Sequence, residues 1–100
     1  MKTFNSVFEA MNDSEEELGS KELVTGMIFR GQYNHKYMYV IGRQLYFGDK
    51  TYRLIHAINN NSLDLLATSL TEIRRVQEFS DTFRATFVGI LKGSLIPLAL

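Results

Sequence analysis

Residues 36–58, KYMYVIGRQLYFGDKTYRLIHAI, carry the strongest indication of the fold. β-Branched and aromatic side chains recur along this stretch, as they do in strands. The dipeptides Gly42-Arg43 and Gly48-Asp49 interrupt it, and both suit tight reversals because Gly and Asp tolerate the positive φ of hairpin turns. The stretch therefore predicts consecutive antiparallel strands.

The same enrichment in β-branched and aromatic residues extends in both directions, from residue 23 to residue 67. Further reversals are expected at Asn34-His35 and Asn59-Asn60-Asn61. We predict an antiparallel meander of five short strands at 23–33, 36–41, 44–47, 50–58 and 62–67. Alternatively, Gly42 marks a bulge that joins the second and third strands into one.

Helical patterns flank the predicted meander. On the N-terminal side, apolar residues fall at i, i+3, i+4 and i+7, and Ser14 with Glu17 has the spacing of a capping box. We therefore expect an acidic helical segment over 1–19. The apolar residues of its stripe are Phe4, Val7, Phe8 and Met11.

A second helical segment is expected over 69–93. Ser69 with Glu72 has capping-box spacing, and four apolar residues follow one another at intervals of four before Gly93. Thr82, Thr86 and Val88 would also suit a strand, so helix and strand both stay open over 80–100. The four spaced residues are Phe79, Phe83, Phe87 and Leu91.

These elements predict one α+β domain over residues 1–100. A short basic meander flanked by helices is similar in general outline to SH3-like and Sm-like small barrels, a resemblance that implies no particular function. The apolar tail, residues 94–100, either packs back on the domain or exposes a strip that supports self-association.

Composition narrows the function classes. The chain has no cysteine, which excludes disulfides and cysteine nucleophiles and suits a reducing compartment. It has no apolar run of 18 residues and no signal-peptide pattern, so we expect no membrane association and a cytoplasmic location. The net charge is zero, but residues 1–22 carry −4 and residues 23–63 carry +4. Such separation favours self-association or the matching of acidic and basic faces.

Candidate catalytic groups are scarce. The chain has two histidines, His35 in a predicted turn and His56 in a predicted strand, and neither lies in a catalytic or metal-binding motif. His56 alternates with apolar residues, which favours a structural, hydrogen-bonded role. We therefore predict no cofactor, no metal and no enzymatic activity, and a small enzyme using His56 ranks as the third hypothesis.

The tyrosines and the basic residues of the meander form the candidate binding set. All five tyrosines lie between residues 33 and 52, and basic side chains are interspersed among them. Aromatic rings stack on bases while cations neutralise phosphates, but tyrosine also stabilises hairpins and supplies protein interfaces. Side chains alternate between the two faces of a strand, so Tyr37, Tyr39 and Ile41 lie on one face and Met38 and Val40 on the other. Because one of these faces must be core, only about half of the set can face solvent. The predicted residues are Arg30, Tyr33, Lys36, Tyr37, Tyr39, Arg43, Tyr46, Lys50, Tyr52 and Arg53.

An acidic face is expected at Glu15, Glu16 and Glu17, where it either shields the basic sheet or presents carboxylates to a basic target. From these patterns we predict a non-catalytic binding or regulatory module that contacts another protein, such as a small inhibitor or adaptor of the phage or bacterial kind. The alternative is a nucleic-acid-binding protein that uses the tyrosine-rich basic sheet, although a pI near 6.7 weakens it.

Overall fold

The computed structural model describes residues 2–10, 21–32 and 37–92. Within these ranges the chain forms one mixed sheet of six strands and a single short helix, preceded by one isolated helical turn. The elements in chain order are β1 (Thr3–Phe4), α1 (Val7–Ala10), β2 (Met27–Gly31), β3 (Tyr37–Phe47), β4 (Lys50–Asn59), β5 (Leu65–Thr71), α2 (Val76–Phe83) and β6 (Ala85–Leu91).

The sheet has the strand order β1-β6-β2-β3-β4-β5. Strands β2 to β5 are successive antiparallel neighbours, so the predicted meander is present in outline. Strand β6 returns beside β2, and β1 adds to β6 in parallel. The fold is therefore mostly β. Among the described residues the sheet is open, with β1 and β5 as its edges, so the closed barrel of the SH3-like and Sm-like resemblance is not formed.

The hairpin of β3 and β4 corresponds to residues 36–58, the stretch with the strongest strand pattern in the sequence. Phe47 pairs with Lys50 across the two-residue turn Gly48-Asp49, and Gly48 has φ +64°. A glycine with positive φ at the first turn position is typical of a type II′ turn, whose twist matches that of the strands. Gly42 is not a reversal: the register shifts between Ile41 and Gln44, so the bulge alternative is the one observed.

The predicted helical segment over 69–93 is helical only in part, and of the two alternatives left open over 80–100 the strand is observed at 85–91. Ser69 lies in β5, the helix covers only Val76–Phe83, and Arg84 ends it in the left-handed conformation with φ 50°. Residues 85–91 form β6, whose first five residues are all buried. A strand that is buried on both faces is continuously apolar, so a spacing of four residues does not distinguish it from a helix.

The N-terminal prediction was also only partly right. Residues 3–4 form a short strand on β6, and the helical stripe gives only the single turn of α1. The second predicted turn over 14–19, the reversal at Asn34-His35 and the tail at 94–100 lie outside the described residues.

The central strands of the sheet are buried on both faces, contrary to the expectation of one core face. On the α2 side, Phe79 contacts Phe29 with ring centroids 4.4 Å apart. On the opposite side, Met38 and Val40 are fully buried in a cluster that includes Phe4 from β1. The first cluster contains Leu23, Met27, Phe29, Ile41, Ile55, Val76, Phe79, Ala85 and Phe87. None of the described helices is long and apolar enough to cross a membrane.

Candidate binding surface

The β3–β4 hairpin extends past its neighbouring strands. Strand β2 pairs with β3 from Met38 to Val40, and β5 pairs with β4 from Arg53 to Ile58. Beyond that, within the described ranges, β3 and β4 pair only with each other, up to Phe47 and Lys50. We call residues 44–52 the β3–β4 ribbon. It is a two-stranded projection from a six-stranded sheet.

The ribbon carries exposed aromatic side chains. Tyr46 is 70% exposed and Phe47 57% exposed. The ring of Phe47 meets that of Tyr52 edge to face, with centroids 5.6 Å apart. Leu45 lies directly opposite Tyr52 on the neighbouring strand. Because side chains alternate along each strand, Leu45, Phe47 and Tyr52 share one face of the ribbon and Tyr46 lies on the other.

Arg53 anchors the base of the ribbon to the body of the domain. Its guanidinium donates hydrogen bonds to the carbonyl oxygens of Leu23 and Gly42, each at 3.1 Å, and to Oγ1 of Thr25 at 2.8 Å. Partial burial lowers the pKa of Arg53 from its ordinary value, although an arginine stays charged at neutral pH. This side chain is therefore a structural cation and not a free phosphate ligand.

A shallow groove of about 140 Å³ lies beside the ribbon base. Its walls include Arg53 and Arg74 together with Glu22 and Glu72, so both signs of charge line it. Nζ of Lys50 lies 3.7 Å from Oε1 of Glu72, and both side chains are more than half exposed. The groove is smaller than most small-molecule sites, and its charges are largely balanced. It supplies polar surroundings for the ribbon.

The predicted tyrosine set divides between two distant places. Tyr39 packs edge to face against the stacked rings of Phe79 and Phe83 on α2, with ring centroids 6.0 and 5.5 Å away. Burial raises the pKa of its hydroxyl, with a smaller contribution from Tyr37. Tyr37 pairs with Asn59 at one end of the hairpin, whereas Tyr46 lies near the other. They are nine positions apart along the strand, which corresponds to about 30 Å. The set therefore does not form one surface.

The remaining predicted residues are scattered. Arg43 is exposed at the bulge, and Arg30 is half-buried on β2, opposite Met38. Tyr33 and Lys36 lie outside the described residues, and the acidic face at Glu15, Glu16 and Glu17 does too. Of the predicted residues, Tyr46, Lys50 and Tyr52 lie together on the ribbon.

Sequence reasoning missed Leu45 and Phe47, the apolar members of the ribbon. One signal was available: Phe47 immediately precedes the Gly48-Asp49 turn, so it had to lie at the tip of a hairpin. It also missed the exposed leucines of β5, which are Leu65, Leu66 and Leu70.

His56 is a buried core residue. Its ring is fully buried, Nδ1 lies 3.1 Å from Oγ1 of Thr68, and burial lowers the pKa of the imidazole. Among the described residues Nε2 has no hydrogen-bond partner. The ring lies against Gly42, where an added Cβ would come within 2.8 Å of Nε2. The described ranges contain no cluster of His, Asp and Glu suited to hold a metal ion.

Comparison of the chain with protein-family models, with curated proteins and with solved structures gave no match.

Proposed function

We propose that the protein is a non-catalytic binding module that contacts another protein through the β3–β4 ribbon. The observation that carries the proposal is the exposure of Tyr46 and Phe47 at the end of a hairpin that projects beyond its neighbouring strands. The role of a small inhibitor or adaptor is consistent with a ribbon that inserts into a partner.

Exposed aromatic residues on a rigid hairpin favour such a contact energetically. Tyrosine and phenylalanine bury a large area for few rotatable bonds, and aromatic residues are enriched in protein interfaces. The best-packed anchors of an interface each cost about 2 kcal/mol or more when truncated to alanine. The Gly48-Asp49 turn and the Arg53 anchor hold the ribbon in place before binding, so less conformational entropy is lost on association.

Nucleic-acid binding is the second candidate, because Arg43 and Lys50 flank the aromatic side chains. Phosphate binding depends on cations that are free to replace counterions. Near the ribbon, however, Lys50 is close to Glu72, Arg53 is bound to carbonyl oxygens and Asp49 occupies the turn. A protein partner therefore ranks first.

The test is a quantitative pull-down with the double variant Tyr46→Ala/Phe47→Ala. We expect partner retention to fall at least about 30-fold, as the loss of one interface anchor implies. Tyr37→Ala is the matched control, since it removes a less exposed tyrosine about 30 Å away along β3. It should leave retention unchanged.

Salt and nuclease separate the two candidates. Phosphate-driven binding weakens steeply as salt rises, whereas an apolar protein contact does not. Retention that survives high salt and nuclease supports a protein partner. Retention lost on nuclease treatment would contradict it, as would equal losses in the double variant and the Tyr37→Ala control.

A further inference from the structure

Among the described residues, strand β5 is an edge strand without the usual protection. Its sequence, LLATSLT over residues 65–71, contains no charged residue and no proline. Its first six residues are exposed, among them Leu66 at 49% and Leu70 at 46%. Edge strands of monomeric proteins commonly carry lysines or prolines that prevent pairing with another chain. The one irregularity is a bulge near Leu66, so the ladder from Ala67 to Thr71 is regular.

The backbone groups of β5 that face away from β4 can be assigned from neighbouring hydrogen bonds. The carbonyl oxygen of Ile41 accepts from the N–H of Gly26, so Ile41 directs its backbone groups away from β4. Its cross-strand partner Ile55 must then direct its own toward β5, where it pairs with Ser69. Because the direction alternates along an antiparallel strand, Thr68 and Leu70 present their N–H and C=O groups at the open edge.

We propose that a second copy of this chain pairs antiparallel with β5, around a two-fold axis at Thr68. This register places the outward-facing backbone groups of the two Thr68 residues opposite each other. It sets Ala67 of each copy opposite Ser69 of the other, and Leu70 opposite the bulge at Leu66. Side chains of similar size therefore meet on either side of Thr68 when the strand pairs with its own copy.

Three observations favour a second copy over a different occupant. A two-fold interface requires one patch that is complementary to itself, and the side chains around Thr68 form such a patch. No charge lies within 65–71, so the pairing brings no like charges face to face within the strand. The chain as a whole has a net charge of zero, so two copies have no net repulsion to overcome.

The first test is the oligomeric state, measured by sedimentation. The wild-type chain should be a dimer, and Leu70→Lys should be a monomer, since a charge at the edge opposes strand pairing. Tyr46→Lys is the matched control and should remain a dimer, because it adds the same charge at a more exposed position on the ribbon. Ala67→Lys is a second edge variant, and circular dichroism confirms that each variant folds.

A wild-type chain that is monomeric at all concentrations would overturn the proposal. So would folded Leu70→Lys and Ala67→Lys variants that both remain dimeric. These outcomes do not depend on the ribbon, because the readout is mass and not partner retention.

The second test locates the axis by cross-linking. The chain has no cysteine, so Thr68→Cys introduces a single thiol per copy. Directly opposite residues of a hydrogen-bonded antiparallel pair have Cα atoms about 5.5 Å apart, which suits a disulfide. Under mild oxidation Thr68→Cys should become covalent dimer, and Tyr46→Cys should not. A folded, dimeric Thr68→Cys variant that does not cross-link would refute the assigned interface.

Discussion

The inner and outer halves of the β3–β4 hairpin are made from similar residues but end in different environments. The inner half, with Met38, Val40 and Ile55, lies between β2 and β5 and is buried on both faces. The outer half, with Tyr46 and Phe47, has neither neighbour among the described residues and is exposed. Apolar residue types therefore do not by themselves identify core positions in this hairpin. The number of neighbouring strands does.

The largest expected effect on stability comes from removing an aromatic ring of α2 that packs against the inner half of the hairpin. Phe79 is fully buried, stacks on Phe83 at 4.3 Å and contacts Phe29 at 4.4 Å. Phe79→Ala should lower the free energy of unfolding by about 3–5 kcal/mol, because it removes apolar contacts and leaves a cavity. Urea denaturation followed by circular dichroism measures the loss.

Phe47→Ala in the outer half is the matched control for this change. It removes the same ring from a position that is more than half exposed, so the cost should stay below about 1 kcal/mol. Similar losses in the two variants would show that the ribbon contributes to the core and would break the contrast between the halves.

An intermediate effect is expected at Gly42, where the two halves meet. An added Cβ would lie 2.8 Å from Nε2 of His56 and 2.9 Å from Cβ of Leu54. Gly42→Ala should therefore cost about 1–3 kcal/mol, since a packed site does not accept an extra methyl group without displacement. Thermal unfolding measures the change.

A double-mutant cycle tests whether this crowding is the cause. In a His56→Ala background the imidazole is absent, so Gly42→Ala should cost less than in the wild-type chain. An equal cost in both backgrounds would mean that the contact with Leu54 or the geometry of the bulge, and not the imidazole, requires the glycine.

The sequence predicted the hairpin well because its signals are local. The Gly48-Asp49 turn and the alternation up to Ile58 fix pairing and register between adjacent segments. It left helix and strand open at β6, because pairing with β2 and β1 and packing against α1 depend on segments that are distant in sequence. Nor could it predict that Tyr39 is packed against α2 while Tyr46 is exposed, since both are tyrosines on the same strand.

The smallest expected effect is a pH dependence of stability that arises from His56 in the inner half of the hairpin. Burial lowers the pKa of His56 below that of the unfolded chain, near 6.5, so the folded state binds this proton less readily. Stability should therefore be full above pH 7 and fall as the pH drops below about 6.5, with a slope of at most about 1.4 kcal/mol per pH unit for one group. The melting temperature measured between pH 7.5 and about 5, above the usual range of carboxyl pKa values, reports this loss.

His56→Gln should flatten this dependence, because the glutamine amide does not titrate. His35→Asn should leave the slope unchanged if His56 alone is responsible. If the pH dependence of the melting temperature persists in His56→Gln and disappears in His35→Asn, the titrating group is His35. The imidazole of the inner half would then not be held neutral by burial between Gly42 and Thr68.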